Sequence, residues 1–168
     1  MVIIRLTHKI GKRLGHAVGE RPVDVGESTT ALGDWYVNLV RCGREQLVLY
    51  TSSRSLLPVV CPARGLAKKI GAQLPVELEH LLLDLGADAA AIQKEVGEMQ
   101  RFEFAKTEDR RVLGTMTEFA FMIQYSRRDR RGESPRELSR WLSHTPCSPL
   151  GDKFPDDRAI ELLEGVRR

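Results

Sequence analysis

Trp35-Tyr36-Val37-Asn38-Leu39-Val40-Arg41 and Gln46-Leu47-Val48-Leu49-Tyr50-Thr51, separated by Cys42-Gly43-Arg44-Glu45, decide the class of fold. Both runs are built from aromatic, β-branched and aliphatic residues that suit a pleated surface. The short glycine-containing link between them suits an antiparallel turn. The pattern predicts a β-hairpin. Outward from it, Val2 to Thr7 reads as a short strand. Leu56 to Cys61 reads as a third strand, which Pro58 and Pro62 restrict to a sheet edge or to irregular pairing. Phe102 to Lys106 is a further strand with Phe102 and Phe104 on one face, and Thr107-Glu108-Asp109 is read as a turn returning the chain through Arg110 to Leu113.

Helical periodicity fills most of the rest. His8 to Leu14 is a short basic helix ended at Gly15, with Ile10 and Leu14 inward. Pro75 opens a segment whose Leu78, Leu81, Leu82 and Leu85 recur at i, i+3, i+4, i+7 before Gly86. Asp88 caps a helix bearing Ile92, Val96 and Met99 on one face. Thr115-Met116-Thr117-Glu118 has capping-box spacing and is expected to start a helix to about Arg128, with Met116, Phe119, Ala120 and Ile123 inward. Ser134-Pro135-Arg136-Glu137 has the same spacing ahead of Leu138, Trp141 and Leu142, and Pro155-Asp156-Asp157 opens a last helix. Residues 16 to 33, with three glycines and no periodicity, read as a loop. The three-proline stretch from Ser143 to Pro155 reads as a hinge. The expected fold is α+β, a small antiparallel sheet of about four to six strands packed against several helices. It forms one domain over residues 1–168.

At 42% hydrophobic and 29% charged over 168 residues, the chain can bury a core. That argues against disorder, a collagen-like chain or a disulfide-knotted mini-protein. Apolar runs such as Val2-Ile3-Ile4 and Leu81-Leu82-Leu83 fall far short of the roughly 20 residues of a membrane span. Arg5, Lys9, Lys12 and Arg13 break up any signal-peptide core, so a cytoplasmic location without membrane attachment is expected. Cys42, Cys61 and Cys147 are an odd count without C-x-x-C spacing, read as reduced thiols. The first two are expected to be buried in strands, and Cys147, after Pro146, to lie in an open loop.

Known catalytic spacings are missing. Gly65 to Gly71 holds a Lys pair but neither a Walker loop nor a G-x-G-x-x-G fingerprint. There is no H-E-x-x-H, no calcium loop and no G-x-S-x-G elbow. His8, His16, His80 and His144 have no partners at metal-ligand spacing. Glu108-Asp109 reads as a turn and Asp156-Asp157 as a helix start, where carboxylates meet the macrodipole. No catalytic residue, metal or cofactor is therefore expected.

Charge is more informative in its distribution than in its total of +3. Residues 1–69 carry +6, 70–109 carry −6, 110–140 carry +4 and the remainder −1, and 19 of the 26 basic residues are Arg. Lys9, Lys12 and Arg13 share a face of the first helix. Arg5 lies in the first strand, Arg41 and Arg44 at the hairpin turn, and Arg110 and Arg111 beyond the second turn. Arg127, Arg128, Arg130 and Arg131 gather at the end of the long helix. Where such surfaces coincide they track phosphates. Otherwise they are helix-end cations and solvated faces, or the acidic helices cover them. Trp35, Tyr36 and Tyr50 offer a stacking platform if any of their rings is exposed, and ordinary core packing if not. Asn38 reads as a hydrogen-bonded structural amide in mid-strand.

Ile3-Ile4-Arg5-Leu6-Thr7 with Lys9 and Leu14-Gly15, Asp34 to Leu39, Gln46 through Ser55-Leu56-Leu57 to Pro62, and Phe104-Ala105-Lys106-Thr107 with Arg111-Val112-Leu113-Gly114 resemble a family of small bacterial proteins described only as a domain of unknown function. The resemblance implies a bacterial or mobile-element setting and brings no site residues. The expected function is binding rather than catalysis, with nucleic acid as partner through Arg5, Lys9, Lys12, Arg13, Arg41, Arg44, Arg110 and Arg111. The alternatives are a protein-interaction or homo-oligomerising module of a phage, plasmid or defence/toxin-antitoxin system, or a small hydrolase or nuclease. The last would assemble a scattered site from Asn38, Tyr50, Arg54 and Arg111.

Overall fold

Leu49 and Tyr50, adjacent in one strand, are both fully buried. Successive strand residues face opposite ways, so this sheet must be covered on both faces. The computed structural model describes residues 1–15, 26–129, 133–151 and 153–165. Its strands are β1 (Val2–Leu6), β2 (Trp35–Cys42), β3 (Glu45–Ser52), β4 (Pro58–Pro62) and β5 (Phe102–Lys106), ordered β4-β3-β2-β1-β5. The helices are α1 (His8–Leu14), α2 (Leu66–Lys69), α3 (Gln73–Asp84), α4 (Ala89–Glu98), α5 (Arg110–Asp129), α6 (Pro135–Ser143) and α7 (Pro155–Leu163).

The α+β class and the hairpin are as expected, but the sheet is mixed. β2–β3 and β3–β4 are antiparallel, whereas β1 pairs parallel with both β2 and β5. Antiparallel pairing follows from short links, and the partners of β1 lie far along the chain. The first face carries Val2, Ile4, Trp35, Val37, Val48 and Tyr50 beneath α1 to α4 and α7. The second carries Tyr36, Val40, Leu47 and Leu49 beneath α5 and α6.

The second hairpin does not form. Arg110 to Leu113 is the first turn of α5, because the Asp109 carboxylate accepts from the Arg111 backbone N–H at 2.8 Å and caps the helix there. The capping-box spacing at Thr115 is therefore internal, and its hydroxyl donates back to the Arg111 carbonyl instead. Val112, Met116, Phe119 and Ile123 form the buried stripe. The predicted caps at Asp88 and Ser134 are present, the latter as a complete capping box with Glu137. Of the Ser143–Pro155 stretch, read as a hinge, Cys147 is buried in the second core and Leu150 packs against it. His144 bonds the Asp156 carboxylate at 2.8 Å and stacks on Phe154, and Ala159 of α7 reaches the core. Cys147 is buried, not open, and burial pushes its thiol up to about 11. Among the described residues no helix is long and apolar enough to cross a membrane.

Candidate functional site

The β2–β3 turn is the tightest link a hairpin allows. Cys42 pairs with Glu45, leaving only Gly43 and Arg44 to reverse the chain, and Gly43 takes φ 63° at the first of those positions. A side chain is strained at that φ, which accounts for glycine there and leaves Arg44 to carry the charge at the tip. Arg41 and Gln46 are register partners one step down.

Two helices bring further cations to this end of the sheet. Arg13, in the last turn of α1 beside Lys12, donates to the Gln46 side chain. Arg127 of α5 pairs with Glu45 at 3.2 Å and donates to the Glu133 carbonyl. Gln124 fixes α5 to the strand by donating to the Arg41 carbonyl at 2.9 Å. Arg41, Cys42, Gly43, Gln124, Arg127 and Arg128 thereby line an open cleft of about 400 Å³. Six cationic side chains from α1, the hairpin and α5 gather at this end of the sheet, where the Glu45 carboxylate pairs with Arg127 and the Glu133 carboxylate accepts from the Ser126 hydroxyl. Among the described residues Lys12, Arg41, Arg44 and Arg128 make no ion pair. Cys42, half-buried, lines the same cleft. Burial raises its pKa and Glu45 adds to the rise, only partly opposed by Arg127.

The remaining sequence-nominated cations lie elsewhere. Lys9 is exposed one turn earlier on α1. Arg5 is only 13% exposed and is neutralised by Asp34 at 2.5 Å and Glu108 at 2.7 Å. It also donates to the Lys106 carbonyl. Burial works against its charge, but the Asp34 hydrogen bond and carboxylate outweigh it and hold its pKa above the ordinary value. The cleft around Arg5, about 350 Å³, also presents Ser28, Asp34, Arg54 and Glu108, too acidic for an anion site. Arg110 and Arg111 open α5, about 25 Å along the helix axis from Arg128, and Arg111 is paired with Asp109. Arg130, Arg131 and His16 lie outside the described residues.

The acidic helices do not cover the tip. Glu77 of α3 pairs with Arg136 of α6, Glu98 of α4 pairs with the N-terminus, and Glu95 is buried against a loop. Asn38 accepts from the Thr7 hydroxyl at 3.1 Å, as a structural amide does. Tyr50 is buried on the other sheet face and donates to the Ile70 carbonyl, so the scattered site around Asn38, Tyr50, Arg54 and Arg111 does not assemble. Trp35, Tyr36 and Tyr50 are all buried and offer no stacking surface. Among the described residues Phe102 and Trp141 are partly exposed, but the most exposed rings are Phe121 and Tyr125 on the outer side of α5, which no expectation from the sequence singles out. Helix period carries the missing signal, since 100° per residue sets both opposite the Phe119–Ile123 stripe. Among the described residues no group of three or more His, Cys, Asp and Glu is placed to hold a metal.

Residues 3–158 match the model of a protein family described as a domain of unknown function (DUF6933). No curated protein and no solved structure matches the chain.

Proposed function

The chain belongs to that family of unknown function, and we propose, on its own residues, that it is a module that binds nucleic acid through the cationic tip of the β2–β3 hairpin. One observation carries the reading. Lys12, Arg13, Arg41, Arg44, Arg127 and Arg128 come from three separate elements to one end of the sheet, where Arg41, Arg127 and Arg128 line an open cleft. Arginine forks suit phosphate oxygens, and a spread of unpaired cations suits a polyanion better than a single small anion. The setting that goes with this reading is the cytoplasm, in the bacterial or mobile-element context that the family resemblance implies.

The test is retention of the purified protein on immobilised nucleic acid at low salt. Affinity should fall steeply as salt rises, because each phosphate neutralised releases a counterion. Replacing Lys12 and Arg13 by Ala should weaken retention. Arg111→Ala, at the far end of α5 and paired with Asp109, should leave it unchanged. Absence of retention at low salt, or equal loss with Arg111→Ala, would defeat the proposal.

A further inference from the structure

Phe121 and Tyr125 are 69% and 61% exposed, the two most exposed large hydrophobic side chains among the described residues. They stand at i and i+4 on α5, and Arg128 follows at i+7, so the three share one stripe of the helix. At 1.5 Å per residue the two rings are attached about 6 Å apart along the axis, and Arg128 lies about 5 Å further. Arg128 and Gln124 line the cationic cleft. A ledge of two aromatic rings therefore runs into a cluster of arginines. Burial does not need these rings there, since α5 already packs through Val112, Met116, Phe119 and Ile123 on its opposite side. An adjacent exposed pair is the kind of apolar surface that marks a contact site.

Resting on the nucleic-acid reading above, we propose that the ligand is a single strand, with successive bases lying on Phe121 and Tyr125 and its phosphates held by Arg128, Arg41 and Arg44. The charge of the cleft selects an anionic polymer, and the rings select one that exposes flat apolar faces. Duplexes hide those faces inside the stack, whereas an unpaired strand presents them to any aromatic platform. Sequence preference is not required, because every base has a π-face. The phenol of Tyr125 adds a polar edge that a phosphate or base can meet.

The experiment is fluorescence anisotropy with a labelled single-stranded oligothymidylate and a labelled blunt duplex of mixed sequence, at one low salt concentration. Wild type, Phe121→Ala, Tyr125→Ala, the double variant and Tyr125→Trp are compared after thermal melts confirm that each is folded. Each Ala substitution should weaken the single strand roughly tenfold. It should leave the duplex affinity unchanged, and Tyr125→Trp should restore or improve binding. Unchanged single-strand affinity in the double variant overturns the proposal, as does tighter binding of duplex than of single strand by wild type. Binding of neither probe defeats the nucleic-acid reading itself. In that case, self-association of wild type that the double variant abolishes in sedimentation assigns the rings to contact with a second copy.

Discussion

Glu95 is a carboxylate that the fold has buried almost completely, and replacing it with Ala tests how the loop before β2 is held. Only 3% of the residue is exposed, and its two oxygens accept from the Ala31 and Leu32 backbone N–H groups at 2.7 and 3.0 Å. Removal leaves two donors unsatisfied. Two charge-assisted bonds at roughly 1.5–3 kcal/mol each, less the cost of keeping the carboxylate from water, leave about 3 kcal/mol. A chain of this size melts about 2–4 °C lower per kcal/mol, so the Ala variant should lose about 6–12 °C by circular dichroism.

The pH dependence of Glu95 has a definite sign. Burial raises its pKa, and the two backbone bonds and Arg54 only partly offset this, while Glu98 adds to the rise. The folded state thus holds the proton more tightly than the unfolded chain does. Stability from this group is greatest below the unfolded value of about 4.3 and is lost as pH rises through the higher folded value. The gap between wild type and Glu95→Ala should therefore widen as pH falls from neutrality toward that range. An Ala variant that melts with the wild type, or a gap that narrows on acidification, would refute this account of Glu95.

Other expectations are simpler. Phe119→Ala empties a fully buried site and should cost about 3–5 kcal/mol in denaturant unfolding, whereas Phe121→Ala on the outer side of α5 should cost almost nothing. Ser134→Ala removes the cap of α6 and should lower stability by about 1 kcal/mol, seen as a small drop in Tm. At Gly71 a Cβ would collide with the Phe102 ring, which is partly exposed and can turn aside only at some cost, so Gly71→Ala should destabilise by about 1 kcal/mol. Phe102→Leu should relieve part of that loss in a double-mutant cycle, since the partner that clashes is a side chain.

The parts of the fold legible in the sequence are those written locally. The hairpin follows from two β-rich runs and a glycine turn, and the starts of α4 and α6 from Asp88 and Ser134, each acting on its own first turn. Long-range pairing was not legible. β1 lies between β2 and β5 because Ile4 meets both Trp35 and Phe104, and no local pattern encodes a parallel partner about a hundred residues away. The start of α5 is ambiguous in the sequence because Asp109 and Thr115 both have the chemistry of a cap. Asp109 prevails, since a helix beginning there buries Val112 in the same stripe as Met116.

The site divides in the same way. Clusters of arginine are visible in the chain, but their neutralisation is not. Arg5 meets Asp34 and Glu108 from distant segments, while among the described residues Arg41, Arg44 and Arg128 make no ion pair. The exposure of Phe121 and Tyr125 was within reach of helix periodicity, whereas the burial of Trp35, Tyr36 and Tyr50 depended on both sheet faces being covered.

The most direct test of the hairpin-tip reading is the salt dependence of nucleic-acid affinity, compared between wild type and the Arg41→Ala/Arg44→Ala/Arg128→Ala variant. At about 0.7 per phosphate for a single strand, four unpaired cations predict a log–log slope near −3, and the variant should lose about 2 of it along with most of its affinity. A wild-type slope near zero, or a variant whose slope and affinity match the wild type, would contradict the assignment of this surface.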